Sequence, residues 1–374
     1  MNCAAAMLLH RHMTITLAQK SSRENEYRRS GSRVAVVVPN YNHGHFIGEA
    51  LSSIAAQTRA PDVVLIIDDA STDDSIAIIS SFIDCHPTWQ LIRHNVRQGV
   101  VIGQNEALRQ LDVDWVTFLG ADDILHSSYI ERAGKQIELA PDAGVICGCC
   151  ETIGDVATRT LRPMLLPATT TRAISASQFR ALLMFGDNYF VGTTTMFRRS
   201  ALLDAGGFDP ALGAFADGFQ AKQLAARFGM VFIPDILGYW RTHGQNYSVL
   251  TSTNPSLMEE KLRLIHQAIG LNQAMFPTGY SRLFDRRARF GSARLVTLTT
   301  TIPALERARQ IADLLSANGL ERRWLAALLL LEPFGKWATL AWLTLRLRPM
   351  SLLRLLNQLR SRKLILARTS NFKP

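Results

Sequence analysis

Between residues 34 and 119 the sequence repeats one pattern four times, a short apolar run followed by polar residues, with helical segments between the runs. A short run that is apolar throughout is typical of a strand buried on both faces of a sheet. Such strands alternating with helices predict a parallel, doubly wound α/β sheet with right-handed crossovers. The predicted strands are residues 34–38, 63–67, 91–92 and 115–119, and the predicted helices are residues 47–57, 75–83 and 102–110.

Polar residues follow three of these strands at the point where each strand ends. They are Asn40-Tyr41-Asn42, Asp68-Asp69 and Asp122-Asp123. The carboxyl ends of parallel strands meet at one edge of a sheet, and open α/β sheets bind ligands outside that edge. We therefore expect these side chains to converge on one site.

The paired carboxylates Asp122 and Asp123 follow the fourth of these runs, residues 115–119. Adjacent carboxylates at such a position can hold a divalent cation, and a cation there can hold a diphosphate. The alternative is an ordinary helix start, because Asp is a favoured N-cap and a new apolar run begins at Leu125. Both interpretations are compatible with these residues alone.

Beyond Pro141 the regular alternation stops. We predict strands at residues 144–150, 190–197 and 230–233, helices at residues 173–185 and 217–228, and a short helix from Arg199 that ends at Gly206-Gly207. Residues 254–320 carry apolar side chains at helical spacing throughout. We divide the chain into a flexible N-terminus at residues 1–32, in which Met13 is a possible initiator, an α/β domain at 33–250, a helical region at 251–320 and a tail at 321–374.

The positive charge of the chain is concentrated in the tail. The 374 residues carry a formal net charge of +10. From Glu321 onward there are eleven Lys or Arg against two acids, a net charge of +9, whereas the first 320 residues carry 30 Lys or Arg against 29 acids. This distribution argues against a protein that coats nucleic acid, and it favours a tail that binds a membrane surface or a partner.

The tail contains two apolar segments. Residues 324–345 have about the length that spans a bilayer, but Glu332, Pro333 and Lys336 interrupt them and make a spanning helix costly. Residues 352–359 carry Leu on one helical face and are followed by basic residues, which suits an anionic membrane surface. A pair of helices packed on the α/β domain, or a contact in a dimer, is the alternative. We expect a cytoplasmic protein held peripherally at the inner face of the membrane.

The five cysteines predict neither a disulfide framework nor a zinc site. Cys147, Cys149 and Cys150 form a single cluster with no second cluster to complete four metal ligands. We interpret them as small buried residues on a strand, as is usual for free cysteine, and this usage suits a reducing cytosol.

Taken in order, seven motifs resemble those of glycosyltransferase family 2, whose members have the GT-A fold. The resemblance covers roughly residues 33 to 248, and the ordered series is far more specific than any one motif. The motifs are residues 36–42 (VVVPNYN), 66–75 (IIDDASTDDS), 95–99 (NVRQG) with Asn105, 118–123 (FLGADD), 206–210 (GGFDP), 216–220 (ADGFQ) and 239–243 (YWRTH).

The resemblance implies an inverting, metal-dependent enzyme that uses a nucleotide-sugar donor. Mg²⁺ or Mn²⁺ would be held by Asp122, Asp123 and His243, and would neutralise the diphosphate leaving group. The acceptor would be a glycan or a lipid-linked sugar in cell-envelope polysaccharide synthesis. The residues that the resemblance places at the donor are Pro39, Tyr41, Asn42, Asp68, Asp69, Asn105, Asp122 and Arg241.

By the same resemblance Asp217 is the candidate general base. An inverting transfer needs one carboxylate to deprotonate the acceptor hydroxyl as it attacks the anomeric carbon. No second carboxylate motif marks a covalent nucleophile, which favours inversion over double displacement. Because Asp217 lies at the start of a predicted helix, an N-cap role is the alternative. Thr193 and Thr194 lie either in the acceptor cleft or on a buried strand.

One position departs from the family pattern. Gly120 stands where the family usually has an aspartate, so the motif reads Gly-Ala-Asp. This departure motivates a competing hypothesis, a weakly active or non-catalytic protein that binds a nucleotide sugar. A sugar-phosphate nucleotidyltransferase is a further alternative, but residues 41–45 lack the basic glycine-rich loop that such an enzyme should carry after its first strand.

Overall fold

The structure is a computed structural model that describes residues 31–154, 160–163, 165–243, 246–299 and 301–347, together with residues 359 and 363. The predicted flexible N-terminus up to residue 30, including Cys3 and Met13, and nearly all of the predicted amphipathic segment at residues 352–359 lie outside these described residues.

Ten strands form one mixed sheet in the order β3-β2-β1-β4-β9-β6-β10-β5, with β7 beside β6 and β8 beside β10. The six strands β1, β2, β3, β4, β6 and β10 run parallel, while the short strands run against them. The strands are β1 Val34–Asn40, β2 Val63–Asp68, β3 Trp89–Arg93, β4 Trp115–Phe118, β5 Ile124–Leu125, β6 Val145–Gly154, β7 Leu161–Arg162, β8 Arg172–Ile174, β9 Thr195–Arg198 and β10 Met230–Thr242.

Helices cover both faces of the sheet, and the later ones form a C-terminal helical extension. Short 3₁₀ helices occur at Gly192–Thr194, Pro210–Phe215 and Gln273–Met275. The α-helices are α1 Gly44–Ala55, α2 Ser75–Cys85, α3 Val100–Gln110, α4 Tyr129–Leu139, α5 Ala176–Leu183, α6 Arg199–Asp204, α7 Ala216–Phe228, α8 Tyr247–Thr253, α9 Pro255–Leu271, α10 Tyr280–Leu298, α11 Ala304–Leu314, α12 Gly319–Leu329 and α13 Phe334–Leu347.

The N-terminal half confirms the predicted doubly wound α/β fold. Strand β1 lies between β2 and β4 and is parallel to both, so its side chains are covered on both faces. Val34 to Val38 are all fully buried, and each of the four valine side chains contributes roughly 1.5–3 kcal/mol of hydrophobic stabilisation. In the register of this sheet Asn40 pairs with Asp68, which places the tips of β1 and β2 side by side.

Alternate residues of the central strands belong to two separate cores. Val36 and Ile66 face the layer that contains α1, α2 and α4, whereas Val37 and Ile67 face the opposite layer. This follows from the two-residue period of a strand. The core that contains Val37 and Ile67 continues into buried side chains of the C-terminal helices, including Leu343 on α13.

Two predictions in the second half need correction. The predicted helix at residues 173–185 begins only at Ala176, because β8 pairs antiparallel with β10 and Ser175 then caps the helix in a capping box with Gln178. The predicted strand at residues 190–197 is a 3₁₀ turn, Gly192–Thr194, followed by β9.

Strand β10 is also longer than the predicted strand at residues 230–233. Its pairing with β6 shifts register after Ile233 and again after Ile236, on either side of Pro234 and Asp235. Such bulges allow a strand to continue past a proline. The continuation carries Arg241 to the edge where the other strands end.

The apolar segment at residues 324–345 folds as two helices, α12 and α13, joined by a turn at the interrupting residues Glu332 and Pro333. Within the part of the chain that the structure describes, no helix is both long enough and apolar enough to cross a bilayer. Cys147, Cys149 and Cys150 are buried on β6, as predicted.

Candidate active site

The tips of β1 and β2 are joined by a buried hydrogen-bond network. Asn40 donates from Nδ2 to Asp68 Oδ1 at 2.8 Å and to Ser71 Oγ at 3.1 Å. Asp68 is fully buried and also accepts a 3.0 Å bond from the Ser71 amide at its Oδ2. Asn42, held at a φ of 53°, accepts from the Thr72 amide at 2.8 Å. Both carboxylate oxygens of Asp68 are therefore used to shape the loops that follow the strands.

Asp69 is held by backbone amides and by a histidine. Its Oδ1 accepts 2.8 Å bonds from the Gln98 amide and from His94 Nδ1, and its Oδ2 accepts a 2.8 Å bond from the Gly99 amide. Burial raises the pKa of Asp69, but the hydrogen bonds from Gln98, His94 and Gly99 outweigh burial and lower the pKa below its usual range. Asp69 is therefore an ionised acceptor at the end of β2.

His94 lies between two carboxylates. Its Nε2 is 2.9 Å from Glu106 Oε2, while its Nδ1 contacts Asp69. Burial lowers the pKa of His94, but the hydrogen bonds to Asp69 and Glu106 dominate and raise it. The sequence reasoning did not identify His94 or Glu106. The available signal was a histidine directly before the motif that begins at Asn95. It lies twelve residues before Glu106, an acid on the predicted helix 102–110.

Tyr41 and Asn105 have different surroundings. The guanidinium of Arg97 stacks 3.9 Å from the centre of the Tyr41 ring at the site's outer edge. Asn105 instead exchanges two hydrogen bonds with the Phe208 backbone, at 2.7 and 2.8 Å. These bonds hold the Gly206-Gly207 turn. Pro39, on β1, is paired with Ile67.

Asp122 lies in the turn between β4 and β5, so it is not the N-cap of a helix. Its Oδ2 is 2.9 Å from His243 Nε2 and 3.2 Å from Asn246 Nδ2. Its backbone carbonyl accepts a 2.9 Å bond from Arg241 Nε. The structure thus brings Asp122, Arg241 and His243 together, as the sequence reasoning expected.

Asp123 is 5% exposed and is bound on both oxygens. Thr193 Oγ1 donates to Oδ2 at 2.5 Å, and the Arg241 amide donates to Oδ1 at 2.9 Å. Burial raises the pKa of Asp123, and the nearby Asp122 charge raises it further. A buried carboxylate beside a partly buried one is a setting that favours a cation, because the cation cancels the repulsion that raises the pKa of Asp123.

Gly120 lies against both carboxylates. A Cβ built on Gly120 would lie 2.8 Å from Asp122 Oδ1 and 3.3 Å from Asp123 Oδ2. Two neighbouring carboxylate oxygens suit Mg²⁺ or Mn²⁺, and Mg²⁺ sites commonly take their remaining ligands from substrate phosphates and water. Among the described residues no cluster of three or more His, Cys, Asp or Glu side chains is arranged to hold a metal ion. The residues fit a two-carboxylate site that is completed by its substrate.

The end of β10 is anchored to the start of α1. The guanidinium of Arg241 forms an ion pair with Glu49 and lies 4.9 Å from the centre of the Phe46 ring. The His243 ring stacks on Phe46 with 5.5 Å between centroids, and the His43 ring lies 6.1 Å from His243. These contacts join the segment after β1 to the Asp122 turn, and the sequence reasoning did not identify His43, Phe46 or Glu49.

Asp217 lies in the first turn of α7, whose N-cap is Phe215, so Asp217 is not the N-cap. Its Oδ1 accepts a 2.6 Å bond from the Gly218 amide, and its Oδ2 would lie 2.6 Å from a Cβ at Gly192. Asp217 therefore contacts Gly192, the first residue of the 3₁₀ turn. The second residue of that turn, Thr193, binds Asp123. Burial raises the pKa of Asp217, while the Gly218 amide and the Lys222 charge lower it.

Lys222 is a nearly buried cation behind Asp217. Its Nζ lies 3.9 Å from the position of a Cβ at Gly218 and 5.5 Å from the centre of the Phe284 ring. Burial lowers the pKa of Lys222, while the charges of Asp187 and Asp217 raise it. Sequence pattern offered no signal for this residue, since a lysine in the middle of a helix is ordinarily solvated.

The comparisons with known proteins agree with this geometry. Residues 35–205 match the family model described as Glycosyl transferase family 2. An uncharacterized glycosyltransferase of Haemophilus influenzae is 26% identical over 253 residues, which cover 67% of this chain and 89% of the relative. An uncharacterized glycosyltransferase of Nostoc is 24% identical over 266 residues, which cover 68% of this chain and 79% of the relative.

Two solved structures have a similar fold. Residues 1–349 of S. aureus TarS in complex with UDP-GlcNAc superpose with a TM-score of 0.57 at 18% identity, covering 86% of this chain and 93% of that one. The mannosyltransferase PcManGT from Pyrobaculum calidifontis, in complex with GDP-Man and Mn²⁺, gives a TM-score of 0.51 at 20% identity, covering 90% and 98%. The match at residues 35–205, the two glycosyltransferase relatives and the shared GT-A fold together support a glycosyltransferase family 2 domain within this chain.

Proposed function

We propose that the protein transfers a glycosyl group, with inversion, from a nucleotide-sugar donor to a hydroxyl of a glycan or lipid-linked acceptor. The observation that carries this proposal is the relation between two acidic sites. Asp122 and Asp123 both lie against Gly120, and Asp217 lies against Gly192, the residue before the threonine that binds Asp123. One site suits a leaving diphosphate with its cation, and the other suits an attacking hydroxyl.

The donor would bind along the tips of β1, β2 and β4. Asp69 is an ionised acceptor suited to the donor N–H groups of a nucleobase, and the Tyr41–Arg97 stack offers flat surfaces for the base. Pro39 and Asn42 would border the same edge. Asp68 would support this edge through its hydrogen bonds with Asn40 and the Ser71 amide. TarS and PcManGT were solved with UDP-GlcNAc and GDP-Man respectively, which supports a nucleotide-sugar donor without identifying it. Asn105 would act by holding the Gly206-Gly207 turn.

The residues that would hold Mg²⁺ or Mn²⁺ are Asp122 and Asp123, with His243 beside Asp122. When bound, the cation would neutralise the charge that develops on the diphosphate leaving group. Arg241 would add a fixed positive charge at the same edge, where its backbone amide and guanidinium already bind the Asp122-Asp123 turn. Glycine at residue 120 lets both carboxylates lie close to the backbone there, since a side chain would crowd them.

Asp217 would act as the general base that takes the proton from the acceptor hydroxyl as that oxygen attacks the anomeric carbon. Burial raises the pKa of Asp217, which makes its carboxylate a stronger base than an exposed aspartate. Asp217 and Asp123 contact neighbouring residues of the same turn, so an acceptor held at Asp217 would lie close to the donor sugar. The proposed mechanism requires that this acceptor approach the sugar from the side opposite the diphosphate. Such an approach inverts the anomeric centre.

The acceptor would belong to cell-envelope polysaccharide synthesis at the cytoplasmic face of the membrane. The support is the charge distribution, since the segment from residue 321 carries a net charge of +9, from eleven Lys or Arg and two acids. Such a segment favours contact with an anionic lipid surface, where lipid-linked acceptors reside.

The test begins with thermal shifts of the full chain against a panel of nucleotide sugars, with and without Mn²⁺, because a bound ligand stabilises the folded state. Donor turnover and the anomeric configuration of the product are then measured. We expect Asp217→Asn to lower turnover by roughly 10²–10⁴-fold and to keep the donor-induced shift. Asp123→Asn should lose the Mn²⁺-dependent part of that shift.

The matched control is Asp142→Asn, because the Asp142 side chain is fully exposed and its nearest cation, Arg198, is 4.0 Å away. This variant should behave as the wild type. Undiminished turnover in Asp217→Asn would contradict its role as the base. Donor binding without turnover in the wild type would instead favour a non-catalytic protein that binds a nucleotide sugar, the alternative that Gly120 suggests.

A further inference from the structure

The helices α12 and α13 form a closely packed hairpin. A Cβ at Gly335 would collide with the Leu328 carbonyl, so the hairpin requires glycine at the start of α13. The Trp324 and Trp342 rings lie 5.2 Å apart between the two helices. On its inner side Leu329 is fully buried in the main core. The hairpin is therefore fixed to the body of the protein.

The outer end of this hairpin is apolar and exposed. Leu330 and Leu331 are 59% and 64% exposed, and Phe334 and Trp337 are 80% and 71% exposed. These four residues occupy the turn and the first helical turn of α13, and we call them the apolar tip. Exposing large apolar side chains to water is unfavourable, and a cluster of them marks a surface that binds something.

The charge around the apolar tip is not negative. Glu332 is an acid in the same turn as these residues. Its carboxylate is paired both with Arg307 and with Lys336, whose Nζ is 2.7 Å from Oε2. Arg323, on α12, is exposed. The sequence after α13, residues 348–374, carries seven Lys or Arg and no acid. Positive charge therefore accompanies the apolar tip on both sides in sequence.

We propose that the apolar tip inserts into the interface of an anionic lipid bilayer and docks the enzyme on the membrane. This inference rests on the proposed function, and it assigns the contact to particular residues. Aromatic and leucine side chains flanked by Lys and Arg are the composition of segments that lie in the headgroup region. A second copy of the chain is a poorer occupant, because it would bring two positively charged segments together, whereas an anionic surface complements them.

The experiment measures co-sedimentation of the full chain with vesicles. One set contains equal amounts of phosphatidylcholine and phosphatidylglycerol, and the other contains phosphatidylcholine alone. We expect the wild type to bind the anionic vesicles more tightly. The variant Leu331→Gln/Phe334→Gln/Trp337→Gln should bind the anionic vesicles at least about tenfold more weakly, since each change removes apolar area from the lipid contact. All three residues are exposed, so the fold is expected to tolerate the changes.

A matched control makes the same kind of change elsewhere. Leu139 and Leu271 are 78% and 87% exposed, so Leu139→Gln/Leu271→Gln replaces exposed apolar side chains outside the hairpin. This control should bind the anionic vesicles as the wild type does. Donor hydrolysis without vesicles should be unchanged in the apolar-tip variant, while Asp217→Asn should lose it and still bind vesicles. Failure of the docking and failure of the proposed chemistry are thus separate results.

Three outcomes would overturn the docking proposal. The first is a wild type that binds neither kind of vesicle. The second is an apolar-tip variant that binds anionic vesicles as tightly as the wild type, which would assign the contact to charge alone. The third is a wild-type dimer, seen by size-exclusion chromatography with light scattering, that the variant converts to a monomer. That result would make the apolar tip a subunit interface.

Discussion

Thr193 Oγ1 donates a 2.5 Å hydrogen bond to Oδ2 of Asp123, across 70 residues of sequence. The residue before Thr193 is Gly192, against which the Asp217 carboxylate lies. A single 3₁₀ turn thus separates the two acidic sites and fixes their spacing. Changes that disrupt this turn should therefore affect both acidic sites.

We expect Thr193→Val to lower kcat/KM roughly tenfold, because valine keeps the shape but leaves the buried Asp123 carboxylate without a donor worth about 1.4 kcal/mol. The measurement is the initial rate as a function of Mn²⁺ concentration, and the variant should require more Mn²⁺. Thr193→Ser keeps the hydroxyl and serves as the control. Equal Mn²⁺ dependence in the valine variant and the wild type would show that this hydrogen bond does not position Asp123 for the cation.

Gly120→Ala should weaken the response to Mn²⁺. The new methyl group would lie 2.8 Å from Asp122 Oδ1 and 3.3 Å from Asp123 Oδ2. The Asp122 carboxylate is the movable end of a side chain, so we expect the melting temperature without ligand to change little. Thermal shift with Mn²⁺ and donor measures the effect. A full Mn²⁺ response in Gly120→Ala would place the cation elsewhere, and Gly291→Ala, at an open helical position, is the control.

Lys222→Met should move the acidic limb of the kcat/KM profile to higher pH. Burial raises the pKa of Asp217 and the Lys222 charge lowers it, so removing that charge raises the pKa further. The base must be ionised to accept a proton, and a higher pKa leaves less of it ionised at low pH. Activity should therefore fall most in acid and recover as the pH rises. Lys222→Arg keeps the charge and should keep the limb in place, whereas a uniform loss at every pH in Lys222→Met would indicate a purely structural role.

His94 should make stability depend on pH in a defined direction. Its pKa is raised in the folded protein because, against the opposing effect of burial, its ring contacts Asp69 and Glu106. The stabilisation is fully present below the unfolded value of about 6.5 and is lost as the pH rises through the higher folded value. Relative to His94→Gln, the wild type should gain roughly 1 kcal/mol in acid, and this difference should shrink in alkali.

Urea unfolding of both proteins across this pH range measures the difference. Glu106→Gln removes one of the two carboxylates and should reduce the effect by about half, if the two contacts are of similar strength. His86→Gln is a control for the change of side chain, because His86 lies at the end of α2, away from these carboxylates. A difference between wild type and His94→Gln that grows with pH would contradict the assigned protonation of His94.

The first half of the fold was predictable because its strands are buried on both faces. The apolar runs at β1 and β2 have no polar interruption and the run at β4 has one, Thr117, and their boundaries follow within a few residues. The second half was less predictable because its short strands depend on partners distant in sequence. Strand β8 exists through its pairing with β10, and the 3₁₀ turn at Gly192–Thr194 replaces part of a predicted strand.

The candidate site shows the same division. Motifs led to the prediction of Asp122, Asp123 and Asp217 as site residues, because carboxylates next to strand and helix ends form a local pattern. No motif indicated His94, Glu49 or Lys222, because each of them interacts with a partner that the fold brings close to it. A histidine between two carboxylates and a lysine buried behind an aspartate have no local signature.

The sequence by itself determined the α/β class, the edge at which the strand tips meet and the acids found there. The reason is that residue periodicity and the order of strands and helices along the chain can be read from the sequence directly. Only the tertiary structure decided how those acids are used. Long-range contacts set which carboxylates are buried, which are paired, and that two of them lie against Gly120. Burial and charge then set their pKa values, and both depend on neighbours that chain order does not specify.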